Sequence, residues 1–222
     1  MAAMTEEHPG ADLSRLTAVV PVGSLEGAKS RLGDRLDAEE RQQLVVQLLN
    51  RTVRAAGGAP SVSSVVVVSP DPAALQVASA AGASPIRQVN DGLNEGLRTA
   101  ARWALADRAT AVLIMAGDLP GISAEAIEAV IAGAAGALEP DRPLVALVAD
   151  RHGRGTNVLL LSPPDAIQFA FGAGSRAAHL DEAKAAGAIT VELDGLLSLD
   201  LDLPDDLILA EELGLLDPAR VG

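Results

Sequence analysis

Three aspartates and one lysine carry the strongest chemical signal in this chain. Asp118 stands in Gly117-Asp118-Leu119-Pro120, directly after the apolar run from Ala111 to Ala116. Asp200 and Asp202 stand two apart in a stretch that alternates Leu199, Leu201 and Leu203, just before Pro204. Residues two apart on an extended chain face the same side, so these carboxylates would sit roughly 7 Å apart. Carboxylates at the carboxyl ends of buried strands are how an α/β protein holds a hard divalent cation, and such ions usually share their shell with phosphate oxygens. Read alone, Asp200 and Asp202 better suit an edge strand with a solvated acidic face, and it is the pairing with Asp118 that points to a cation. Lys29, one of only two lysines with Lys184, lies in the polar loop Gly23 to Asp34 after the first apolar run, beside Arg31. A loop there offers amides and cations to a polyphosphate. It lacks the Gly-Lys-Ser/Thr ending of a Walker loop and any G-x-G-x-x-G, and on these residues alone an ordinary solvated loop is the better explanation.

Other segments offer polar groups. Gly172-Ala173-Gly174-Ser175-Arg176 precedes a helical stretch and reads as an anion seat, or as a glycine turn with Ser175 as helix cap. Gly153 to Asn157, with Thr156 and Asn157, reads as a second loop converging on the same ligand. Asp91-Gly92-Leu93-Asn94 has acceptors for the N–H edge of a guanine and is as readily a helix cap.

The elements that must position these groups follow from apolar periodicity. Leu16–Val22, Val65–Val68, Ser84–Val89, Ala111–Ala116, Leu144–Ala149, Val158–Leu161, Ile189–Leu193 and Leu199–Leu203 read as strands. Helices are expected after Asp37, over 73–81, from Asp91, from Ser123, over 163–169, from Ser175 and from Pro204. The early alternation of strand and helix implies a mostly parallel sheet covered on both faces. The later part reads as a small β-rich extension over the site. Residues 1–14 read as a disordered extension, 15–216 as one domain and 217–222 as a tail.

Composition excludes several classes. There is no Cys, so thiolate metal sites and disulfides are out, and three scattered His make an imidazole cage improbable; each reads as a surface residue. A formal charge of −13 opposes a nucleic-acid partner and requires that any anionic substrate be screened by cations. Aromatics are 1%, so the core must be aliphatic. No apolar run is long enough to span a membrane, and a cytoplasmic location is the default expectation.

In order, Val20-Pro21-Val22 with Lys29-Ser30-Arg31-Leu32, Gly92-Leu93-Asn94, Gly117-Asp118-Leu119-Pro120, Gly155-Thr156-Asn157, Phe171-Gly172-x-Gly174-Ser175 and Asp200-Leu201-Asp202-Leu203-Pro204 resemble one family. That family is the 2-phospho-L-lactate/phosphoenolpyruvate guanylyltransferases of coenzyme F-420 biosynthesis, and the resemblance runs from about Leu16 to Leu213. It implies a Rossmann-like nucleotidyltransferase (GT-A-like) three-layer α/β fold and attack of a phosphorylated three-carbon acid on the α-phosphorus of GTP. It further implies Mg²⁺ held by Asp118, Asp200 and Asp202. Lys29 and Arg31 would bind nucleotide phosphates, with Asp91 and Asn94 near the base. Thr156, Asn157, Gly172 and Ser175 would seat the phospho-acid. Lys29, Arg31 and Asp118 would be the catalytic groups. One departure stands out: relatives often carry Lys after Pro-Val, where this chain has Gly23. The rival readings are a molybdopterin or sugar-phosphate nucleotidyltransferase and a non-catalytic nucleotide-binding module. A homodimer is left open.

Overall fold

The computed structural model describes residues 10–216. Most of the expected amino-terminal extension (residues 1–9) and all of the expected tail (217–222) lie outside the described residues. The stretch before the first strand already belongs to the domain. Ala11 N donates to Arg142 O (3.1 Å), Asp12 N donates to Ser162 Oγ (2.8 Å), and Ala11 and Leu13 pack on the core.

One seven-stranded sheet organises the chain. Its strands are β1 (Leu16–Pro21), β2 (Val62–Ser69), β3 (Ser84–Arg87), β4 (Ala111–Met115), β5 (Leu144–Ala149), β6 (Thr156–Ser162) and β7 (Ile189–Leu193), in the order β3-β2-β1-β4-β6-β5-β7. All pairings are parallel except those of β6, which runs antiparallel to β4 and to β5. The β-rich later segment thus continues the main sheet rather than forming a separate layer, and irregular loops overlie the site instead.

The continuous apolar runs of β1, β4, β5 and β6 follow from burial on both faces. One face is covered by α1 (Ala38–Gly58), α2 (Pro72–Ala80) and α4 (Ala124–Ala135), through Leu49, Val53, Ala78, Ile127 and Val130. The other face is covered by α3 (Leu93–Ala106) and α5 (Ser175–Ala185), with Leu97, Ala100, Ala104 and Ala183. Small alanines on these helices leave room for close packing in a core nearly without aromatics. A third cluster joins Leu32 and Leu36 of the lysine loop to Leu44 and Leu48 of α1, to Leu199 and Leu201, and to Leu207 of α6 (Pro204–Glu212).

Caps follow the sequence where the side chain is free to turn back. Asp37 accepts from Glu39 N and Glu40 N (both 2.9 Å) at the start of α1, and Ser123 Oγ accepts from Ala126 N (3.1 Å) at the start of α4. Five expectations fail. Leu199–Leu203 is not a strand: Leu201 N donates to Asp118 O (3.3 Å), and the carbonyls of Leu197 and Ser198 accept from the Asn157 side chain, so the segment passes the ends of β4 and β6 without joining a ladder. Leu199 and Leu201 are buried, whereas Leu203 is exposed. Residues 163–169 form turns rather than a helix, the segment being too short to nucleate one, although Ala166, Ile167 and Phe169 still bury. The third strand stops at Arg87, leaving Val89 exposed. Finally, α3 is capped by Gly92 (φ 96°), not by Asp91, and α5 by left-handed Gly174 (φ 75°), not by Ser175.

Candidate active site

The chain runs outward from β1 to β3, then returns to the opposite side of β1 at β4. Reversal of strand order opens a crevice at the carboxyl ends of the two strands, where α/β sheets bind ligands. The loop after β1 brings Lys29 there, and the turn after β4 brings Asp118. The segment that ends in α6 brings Asp200 and Asp202 across the same opening.

The three aspartates converge. Each offers an oxygen, and these atoms lie within 4.8 Å of one another. Lys29 Nζ bridges two of them, pairing with Asp118 Oδ2 and, at 2.8 Å, with Asp202 Oδ1. Arg31 stands further out, 3.9 Å from Asp202 and largely exposed. Burial opposes the charge on Lys29, but the carboxylates of Asp118 and Asp202 outweigh it and its pKa is raised, so the ammonium is firmly protonated. Asp200 moves the other way. Burial, then the neighbouring charges of Asp118 and Asp202, push its carboxyl up to about 6, partly offset by the Asn157 amide. Three carboxylates against one ammonium leave the cluster formally two charges negative.

Such a donor set fits a magnesium ion. All three candidate ligands are hard oxygens within 4.8 Å of one another, the donor type that Mg²⁺ takes, and the formal −2 of the cluster would balance the charge of the ion.

Beside the cluster lies a cleft of about 280 Å³ lined by Asp118, Asp150, Gly155, Thr156, Asn157, Phe171, Gly172, Ser175, Asp200 and Asp202. The hairpin between β5 and β6 frames it. Asp150 accepts from His152 N, Arg154 N and Gly155 N, at 3.1, 2.8 and 2.8 Å. Gly155 is required there, since a Cβ would lie 2.6 Å from the Asp150 carboxylate. Asn157, nearly buried on β6, donates to Leu197 O (3.1 Å), Ser198 O (2.9 Å) and Asp200 Oδ1 (3.3 Å), so it fastens the aspartate segment. Thr156 and Ser175 are both buried and joined by a hydrogen bond of 3.2 Å.

The structure thus brings together Lys29, Asp118, Asp200 and Asp202, with Thr156, Asn157, Gly172 and Ser175 in the adjoining cleft and Arg31 at its edge. It does not bring Asp91 in, which is exposed on the turn before α3. Nor does it leave the Asn94 amide free to read a base: Oδ1 accepts from Phe171 N (2.9 Å) and Nδ2 donates to Phe171 O (3.0 Å). Asn94 is a clamp that pins the Phe171-Gly172 loop to α3.

Sequence reasoning missed two supports. Asp206 is buried, and its Oδ2 accepts from Asp202 N (2.9 Å) and Leu203 N (2.6 Å) while Oδ1 meets Arg151 at 2.6 Å. Its place three residues after the helix boundary is the signal. His179 is fully buried rather than on the surface, and burial lowers its pKa to about 4. Its spacing of four from Ser175 puts both on one face of α5.

The model of the CofC-like guanylyl transferase family matches residues 16–213, which includes every residue of this cluster. The chain belongs to that family. It is 46% identical over 192 residues to a phosphoenolpyruvate guanylyltransferase of Sphaerobacter thermophilus, covering 86% of this chain and 89% of that protein. It is 41% identical over 198 residues to a phosphoenolpyruvate guanylyltransferase of Rubrobacter xylanophilus, covering 89% and 94%. A solved putative nucleotide-diphospho-sugar transferase of Desulfovibrio desulfuricans superposes with a TM-score of 0.68 at 16% identity, over 87% of this chain and 85% of that one. That likeness shows a shared α/β fold. No helix among the described residues is long and apolar enough to cross a membrane.

Proposed function

We propose that this chain joins GTP to phosphoenolpyruvate with release of pyrophosphate, a guanylyl transfer in coenzyme F-420 biosynthesis, and that it does so with Mg²⁺ at Asp118, Asp200 and Asp202. One observation carries the reading: carboxylates from segments some eighty residues apart meet one lysine at the strand-order reversal, beside a cleft lined with amides and hydroxyls. Relatives named for phosphoenolpyruvate supply the acceptor.

The acceptor's phosphate oxygen attacks the α-phosphorus of GTP. A new P–O–P linkage forms, and the bond from the α-phosphorus to the bridging oxygen breaks, with its electrons leaving on pyrophosphate. The attacking oxygen is already anionic, so no general base is required. The task is to hold two anions in contact and to stabilise charge on the leaving group. Bound Mg²⁺ would supply that stabilisation to the phosphate oxygens. Lys29 brings a buried ammonium to the same point, and Arg31 extends positive charge toward solvent, where a triphosphate would lie. Thr156 and the open backbone at Gly172 (φ 131°) form the seat for the acid's phosphate or carboxylate, donating hydrogen bonds rather than charge, while Ser175 gives its one hydroxyl proton to Thr156. Asn157 holds Asp200 in place, and Asp206 holds Asp202.

The test is a pyrophosphate-release panel crossing GTP, ATP, CTP and UTP with phosphoenolpyruvate, 2-phospho-L-lactate and 3-phosphoglycerate, with and without Mg²⁺. Release only with GTP, phosphoenolpyruvate and the metal is expected. Turnover confined to a sugar phosphate, or GTP binding without turnover, would overturn the assignment.

A further inference from the structure

Behind the cleft, four residues form a chain of hydrogen bonds whose direction is fixed at its inner end. Ala170 N–H donates to His179 Nε2 (3.1 Å), so that nitrogen carries a lone pair. The ring is fully buried and neutral, so its one proton sits on Nδ1. Nδ1 lies 3.1 Å from Thr156 Oγ1 and therefore donates to it. Ser175 Oγ donates to the same oxygen at 3.2 Å. A hydroxyl oxygen has two lone pairs and one proton. Both lone pairs of Thr156 are occupied, and among the described residues its hydroxyl has no further partner.

We propose that His179 is a positioning residue for the acceptor seat: by holding its proton on Nδ1 it makes Thr156 Oγ1 an acceptor from within and turns the Thr156 O–H outward, as a committed donor to an anionic oxygen of the phosphorylated acid. The proposal rests on the acceptor assignment above. The ring is itself held. Phe171 meets it edge-on at 4.7 Å between centroids and 69° between planes, and the Phe171 backbone is clamped by Asn94. A hydroxyl free to rotate could present a lone pair to the substrate and repel it. One with both lone pairs engaged presents only its proton, so preorganisation is gained before substrate arrives.

Two measurements on the full chain test this. The first needs no substrate: two-bond ¹H–¹⁵N correlation at pH 7, resolved by comparison with His179→Asn, should show a neutral His179 protonated on Nδ1. An Nε2–H tautomer or a charged ring overturns the proposal. The second is steady-state kinetics. His179→Leu removes the donor and should raise KM for phosphoenolpyruvate about tenfold, the lower range for losing a bond that orients a donor to a charged group, with kcat and KM for GTP within twofold. His179→Asn, whose Nδ2–H replaces the Nδ1–H, should recover most of that loss. In the Thr156→Val background, His179→Leu should add no further effect. Equal losses for both substrates, or no rescue by Asn, would reduce His179 to a core residue. Should His179→Leu fail to fold, the tautomer and the His179→Asn kinetics still decide. A wild-type enzyme that ignores phosphoenolpyruvate would sink the acceptor assignment, while the tautomer result would stand by itself.

Discussion

Replacing Lys29 by Met should destabilise the metal-free protein and at the same time make it respond more strongly to Mg²⁺. The ammonium lies 2.8 Å from Asp202 and also pairs with Asp118. At an effective dielectric of ~20, one contact at that separation is worth about 6 kcal/mol of Coulomb attraction, against a desolvation cost of several kcal/mol for burying the ammonium. The raised pKa of Lys29 shows that the carboxylates win this contest. Half of the Asp202 side chain is exposed, so solvent screens that arm, and a net loss of about 2 to 3 kcal/mol is expected in EDTA, below the range for fully buried pairs. The variant cluster then carries three uncompensated carboxylates and no competing ammonium. A cation at ten times its Kd returns about 1.4 kcal/mol, and the increment should be larger in Lys29→Met than in wild type at equal Mg²⁺. Urea denaturation followed by Trp103 fluorescence, with EDTA and with Mg²⁺, measures both numbers. A loss under ~0.5 kcal/mol in EDTA, or equal increments in the two proteins, would refute the reasoning.

Other outcomes follow from the same geometry. Asp206→Ala leaves the Asp202 and Leu203 amides and the Arg151 guanidinium without their shared carboxylate; urea denaturation should show a loss of about 3 kcal/mol, and a loss under ~1 would contradict its bracing role. The pKa of His179 is depressed to about 4 in the folded chain, so the unfolded chain binds the extra proton between pH 6.5 and 4 and stability drops as pH falls through that window. By pH 5 this amounts to about 2 kcal/mol relative to pH 7, and the drop should be absent in His179→Asn. The Asp200 carboxyl, raised to about 6 by burial and its neighbours, must lose its proton to ligate a cation. Mn²⁺ affinity should therefore fall about tenfold per pH unit below that value and level off above it; a flat profile from pH 5 to 7 would remove Asp200 from the ligand set.

Much of this arrangement was legible in the chain because long apolar runs are unambiguous. A strand such as Ala111–Met115 has to be buried on both faces, so the acidic residue just past it has to emerge at a sheet end. Asp200 and Asp202 come together even though the segment is no strand, with Leu199 and Leu201 buried as the alternation implies but Leu203 exposed. What stayed hidden depended on long-range partners. Asn94 carries helix-capping chemistry in sequence, yet both its polar atoms are taken by a backbone seventy-seven residues away. Ser175 looks like a cap, but Gly174 in the left-handed conformation turns the helix so that the hydroxyl faces Thr156. His179 reads as a surface residue in a short alanine-rich helix. Only the packing of α5 against the sheet shows that it is enclosed.

The central claim, that three distant carboxylates assemble one cation site on which guanylyl transfer depends, is tested most directly by comparing wild type with Asp118→Asn in pyrophosphate release from GTP and phosphoenolpyruvate across a Mg²⁺ titration. Wild type should require the metal. Asp118→Asn should keep its melting temperature within a few degrees, lose at least about a hundredfold in turnover, as for removal of one group that stabilises developing charge, and need higher Mg²⁺ for what remains. Turnover in Asp118→Asn near the wild-type rate, or wild-type activity unchanged in EDTA, would contradict it.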